Sequence, residues 1–158
     1  MGIQPDEAML AAVDRARKHM RADFGGPFGA AIIKDGQLVA ISANSVLRDH
    51  DASAHAEVNA IREAGRVLGT HDLSGCILYA TGYPCPMCLS AIIWANIGTV
   101  YFGCDAKEAE EIGFRDDFIY RFIEGKRADG SILTLHQLEH DACRALYDEY
   151  REMGKVVY

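Results

Sequence analysis

Two short stretches of this chain carry residue types that can do chemistry: His55-Ala56-Glu57 and Pro84-Cys85-Pro86-Met87-Cys88. One imidazole and two thiols are good ligands for a tetrahedral zinc ion. Three protein ligands with an open fourth position is the layout of a catalytic zinc site rather than a structural one. In such a site the metal lowers the pKa of its water to about 7. Glu57, close to His55 in sequence, is placed to take that water's proton and pass it on. Proton handling of this kind is worth about 10²–10⁴-fold in rate.

Each piece also has a plainer reading. A C-x-x-C pair alone fits a redox-active dithiol, and a lone histidine on a helix is usually structural. Pro86-Met87 between the cysteines and His55-x-Glu57 upstream weigh against the redox reading. A closed structural zinc site would need a fourth ligand. His50, His71 and Cys104 are the candidates, and none has close ligand spacing to the cluster. Cys76, Cys104 and Cys143 read as core or surface cysteines, and Trp94 with Ile92 and Ile93 as helix packing.

The pattern of apolar residues gives the elements that must hold this cluster. Residues 6–22 read as an amphipathic helix. Two short strands follow, 30–33 and 38–43, joined by Asp35-Gly36, a strong hairpin signal. Asn44 closes the second strand, and 45–52 reads as a loop. A helix is expected from Ser53 as N-cap to about Leu68, with His55 and Glu57 in its first turn. Residues 76–81 read as a buried strand. Pro86 suits the first turn of a helix running to about Ile97, so both thiols sit at a helix start, where partial positive charge favours thiolates. A strand over 99–103, a short helix over 105–112, a short strand over 132–135 and a last helix over 138–152 complete the reading. Alternating strands and helices predict an α/β domain. The first two strands should pair antiparallel and the later ones parallel, in one mixed five-stranded sheet with helices on both faces.

Size and charge bound what such a site can act on. The chain has 158 residues, so one domain over 1–158 is the natural expectation, and 49% hydrophobic residues are enough for a core. The formal net charge is −7. Proteins that grip a long phosphate backbone usually carry the opposite sign, so a small, weakly charged substrate fits better than nucleic acid. The first residues, Met1-Gly2-Ile3-Gln4-Pro5-Asp6, have neither a basic nor an apolar targeting region, and no apolar run approaches the ~20 residues needed to cross a bilayer. Five cysteines are an odd number, which favours a reducing, cytoplasmic setting and metal binding over disulfides.

The H-x-E and P-C-x-x-C pattern resembles that of the zinc-dependent deaminases of bases and nucleosides. The resemblance runs along nearly the whole chain. Gly25-Gly26-Pro27-Phe28-Gly29-Ala30, Asn44, Ala54-His55-Ala56-Glu57, Pro84-Cys85-Pro86-Met87-Cys88, Gly113-Phe114-Arg115-Asp116-Asp117-Phe118-Ile119-Tyr120 and the terminal Tyr158 are similar to bacterial guanine deaminases of the cytidine-deaminase superfamily. It implies a three-layer α/β/α cytidine-deaminase-like fold and one zinc ion per subunit on His55, Cys85 and Cys88. It implies Glu57 as proton shuttle and Asp116 near the 2-amino group, assisting proton delivery to the leaving ammonia. Asn44, Phe28, Ala56 and Tyr158 would surround the base. It further implies a homodimer with exchanged C-terminal segments, in which Tyr158 closes the partner's site.

One position departs from that pattern. Where such enzymes usually show Glu-Pro-Cys, this chain has Tyr83-Pro84-Cys85. Tyr83 replaces no expected ligand, so the metal should be kept, but the choice of substrate is open. Guanine, turned into xanthine and ammonia, is the first expectation. Guanosine, cytosine or cytidine, adenosine, a triazine or a pterin is the alternative. A tRNA adenosine deaminase and a non-catalytic zinc-stabilised binding module stand behind these.

Overall fold

A computed structural model describes residues 2–158. Its chain divides into two compact units, one ending at Tyr120 and one spanning Arg121–Tyr158.

The first unit is built on four strands: β1 (Gly29–Lys34), β2 (Gln37–Ala43), β3 (Cys76–Gly82) and β4 (Thr99–Cys104). Their order is β2-β1-β3-β4. Asp35 and Gly36 both take positive φ, 49° and 73°, the geometry of the tight turn that matches strand twist. They close β1 and β2 into the expected antiparallel hairpin. β3 then joins β1 antiparallel and β4 parallel. The expectation that all later strands pair in parallel therefore holds only for β3 and β4.

Strand periodicity divides the core into two faces. Ala31, Ile33 and Tyr79 pack with Ala8 and Ala12 of α1 (Pro5–Arg21). Ala30, Ile32, Leu78 and Ala80 cluster with Ala60 of α3 (Ala56–Leu68) and Ile92 of α4 (Pro86–Trp94). Helix, sheet and helix form the three layers.

Several boundaries differ from the sequence reading. Ser53 is not the cap of α3: it folds back on Asp51, giving both its N–H and its hydroxyl to that carboxylate, and His55 takes the N-cap position instead. The stretch read as loop contains a short helix, α2 (Val46–Asp49), which His50 ends in a left-handed conformation. α4 stops at Trp94 because Asn96 adopts positive φ, which asparagine tolerates. After β4, Asp105 caps α5 (Ala106–Glu111) through its side chain.

Helix α6 (Asp117–Glu124), not expected from the sequence, runs into the second unit. That unit also holds α7 (His140–Glu152). The fifth strand is absent: the sheet has four among the described residues. In 132–135 the N–H groups of Ile132 and Leu133 turn back onto the Asp129 carbonyl. Those donors are consumed locally and no ladder forms.

Candidate metal and substrate site

The pairing brings four strand ends to one margin of the sheet. Gly29 lies opposite Ala43, and Gly82 lies opposite Cys104. The residues just beyond these ends, Phe28, Asn44, Tyr83 and Asp105, therefore gather at one margin. Ligands bind beyond the carboxyl ends of strands in open α/β sheets, and here β2, β3 and β4 all end there.

The starts of α3 and α4 converge at this margin. His55 is the N-cap of α3, Cys85 is the N-cap of α4, and Cys88 lies in the first turn of α4. The His55 Nδ1 atom stands 3.5 Å from the Cys85 Sγ and 3.6 Å from the Cys88 Sγ. Zn–N and Zn–S bonds of about 2.0 and 2.3 Å place tetrahedral ligands about 3.5 Å apart, so the donor set fits zinc. Among the described residues this is the one group of three whose ligand atoms converge. His50, His71 and Cys104 do not join it, which leaves the fourth position open.

The electrostatics suit a cation. The Cys88 thiol donates to Cys85, which with the neighbouring His55 holds the Cys85 thiol down to about 4. The same contact, with burial, holds Cys88 up. A divalent metal is what allows both to ionise together. Glu57 is 5% exposed, and burial raises its carboxyl pKa. A carboxyl group whose charged form is disfavoured by burial is suited both to take and to give a proton.

A cavity of about 650 Å³ opens onto the cluster, lined by His55, Glu57 and Cys85 together with Phe28, Asn44 and Asp116. The Asn44 Oδ1 accepts the Val46 N–H at 3.1 Å. That backbone donor settles which way the amide points and makes the NH₂ group the one left to meet a ligand. Gly25 is required beside it: a Cβ there would fall 2.1 Å from Asn44 Oδ1. Phe28 meets Phe114 edge-to-face at 5.0 Å, making an aromatic wall. Asp116 accepts the Ile119 and Tyr120 N–H groups through its carbonyl. Burial and the charge on Cys85 raise its carboxyl pKa.

Not every expected residue lies on the cavity. Ala56 is fully buried in the core beneath it. Tyr158 belongs to the second unit and is 81% exposed. Tyr83 does line the cavity, held by its N–H on the Cys104 carbonyl and by an edge-to-face contact with Phe102. Sequence reasoning assigned no role to Val46, Leu47 and Phe114, which also line it. Two apolar residues, two and three positions after Asn44, were the available clue to the first two.

A fold of this kind with a His-Cys-Cys centre and a buried glutamate defines a zinc-dependent aminohydrolase. The chain belongs to the family of the cytidine and deoxycytidylate deaminase zinc-binding region, whose profile matches residues 3–104. It is 46% identical to the guanine deaminase of Bacillus subtilis over 127 residues, 80% of this chain and 81% of that one. The X-ray structure of the Bacillus subtilis guanine deaminase superposes with a TM-score of 0.87 at 38% identity, covering 95% of both chains. The guanine deaminase of Nitrosomonas europaea superposes with a TM-score of 0.69 at 32% identity, over 73% of this chain and 68% of that one. A tRNA-specific adenosine deaminase of Aquifex aeolicus is 46% identical over 76 residues, 48% of this chain and 50% of that one. Among the described residues no helix is long and apolar enough to cross a membrane.

Proposed function

We propose that this protein hydrolyses guanine to xanthine and ammonia. The observation that carries the reading is the joint presence of Asn44, Glu57 and Asp116 around one cavity at the His55–Cys85–Cys88 cluster, in a chain alike to a guanine deaminase over four-fifths of its length. The match to the tRNA deaminase covers only about half of the chain. A net charge of −7 also disfavours a polyanionic substrate.

Zinc, when bound by His55, Cys85 and Cys88, supplies the Lewis acidity that makes a water acidic enough to lose its proton near pH 7. The chain's own residues do the rest. Glu57 accepts that proton on its carboxylate and delivers it to a ring nitrogen of the base. Asn44 donates from its NH₂ group to an acceptor on the base edge. Phe28 and Phe114 wall the ring and keep water from its face. Asp116 hands a proton to the departing amine and regains one from the hydroxyl added to the ring carbon as that carbon becomes a carbonyl. Across the reaction one C–O bond forms, one C–N bond breaks, and water is consumed.

The whole chain acts as one deaminase domain in the cytoplasm, and two copies pair by exchanging C-terminal segments. Support for the exchange is a set of exposed apolar side chains in the second unit, Leu138, Leu146, Tyr147, Val157 and Tyr158, and Tyr158 would close the partner's cavity.

A panel of guanine, guanosine, cytosine, cytidine, adenosine, a triazine and a tRNA, followed by ammonia release, tests the reading. Guanine should exceed every other substrate in kcat/KM. Fast release from another member with none from guanine would overturn the substrate and keep the chemistry.

A further inference from the structure

Asn59 lies four residues after His55, so its side chain projects back over the start of α3. It does not reach the cavity. Its Nδ2 instead meets three acceptors at once: the Ala43 carbonyl at 3.0 Å, the Ser45 hydroxyl at 2.9 Å and the Ala54 carbonyl at 3.3 Å. Ser45 gives its own hydroxyl hydrogen to Asp49, so its oxygen is left to accept from Asn59. Ala43 and Ser45 flank Asn44, and Ala54 precedes His55. The Ser45 N–H closes the loop by donating to the same Ala54 carbonyl at 3.0 Å.

We propose that Asn59 is a positioning residue that sets the distance between the base-binding Asn44 and the metal-binding His55. One amide ties together the backbone on both sides of Asn44 and the backbone just before His55. Asn44 has little freedom apart from that tie: its Oδ1 is fixed by Val46, its N–H by the Phe28 carbonyl, and its flank by Gly25. A shift of the 43–45 segment therefore carries the Asn44 amide with it. The base would then sit wrongly over the metal, even though Asn59 touches neither.

This inference rests on the proposed reading of the site, and its test separates the two. Binding of xanthine, the product, to the zinc-loaded full chain is measured by calorimetry in a double-mutant cycle. Asn59→Ala should raise the Kd about tenfold in the native background and by less than about twofold when Asn44 is already Ala. Zinc per chain should stay unchanged. Equal factors in both backgrounds would assign Asn59 a merely structural role and overturn the proposal. So would an unchanged Kd in the native background, or loss of zinc. If Asn59→Ala does not fold, Asn59→Ser is held to the same comparisons, since its shorter side chain draws the donor away from Ala43 and Ala54. If the unaltered protein neither binds xanthine nor releases ammonia from guanine, the substrate reading fails. The same cycle on the product of the base that the panel selects then decides the role of Asn59.

Discussion

The His55 Nδ1 atom stands 3.5 Å from the Cys85 sulfur, though the two are 30 residues apart in the chain. Only the meeting of two helix starts at one sheet margin produces that contact. Zinc capacity is thus a property of the fold and not of either motif alone. Replacing Cys85 or Cys88 with Ser should reduce zinc from one ion per chain to a small fraction of that, read by atomic absorption. Stripping the unaltered protein with a chelator should abolish turnover, and added zinc should restore it.

Glu57 lies beside the cluster without belonging to it. Glu57→Gln keeps its shape and removes its ability to accept a proton. Turnover should fall by about 10²-fold or more, with zinc content unchanged. Loss of zinc in this variant would make Glu57 a ligand instead.

Gly25→Ala puts a methyl group on the Asn44 amide, 2.1 Å from its oxygen by the geometry of the backbone. The same Cβ would fall 2.8 Å from the Asn44 carbonyl oxygen, so the clash bears on the Asn44 backbone as well as on its amide. We expect KM for the base to rise about tenfold or more, with a stability cost of about 1–3 kcal/mol from the overpacking. Steady-state kinetics and thermal melting measure the two separately.

Tyr83 lines the cavity beside Cys85. Tyr83→Phe retains the contact with Phe102 and should leave zinc and stability nearly unchanged. Tyr83→Glu adds a negative charge to a pocket that already holds Glu57 and Asp116. The ratio of kcat/KM between guanine and an aminotriazine should shift several-fold. An unchanged ratio would remove Tyr83 from substrate selection.

Removing Tyr158 should lower activity more than stability, because the residue is exposed at the chain's end. Sedimentation of the same variant shows whether two chains still pair. Unchanged kinetics would take Tyr158 out of the site.

The metal centre was readable from the sequence because its chemistry is local: H-x-E and C-x-x-C each occupy one helix start. The hairpin was readable because Asp35-Gly36 dictates its own turn. The antiparallel seat of β3 was not, since strand order is a property of the whole sheet and has no local marker. Residues 132–135 looked like a strand by composition, yet Asp129 captures their donors. Ser53 looked like a helix cap, yet Asp51 was a nearer partner. Asn59 passed unnoticed because a lone polar residue on a helix has no sequence signature. Its three acceptors come from segments that only the fold brings together.

Incubating the zinc-loaded protein with guanine and separating the products by chromatography tests whether guanine is the substrate. Xanthine and ammonia should form in equal amounts, and only while zinc is bound. Guanine left intact by a zinc-loaded, folded protein would contradict that assignment.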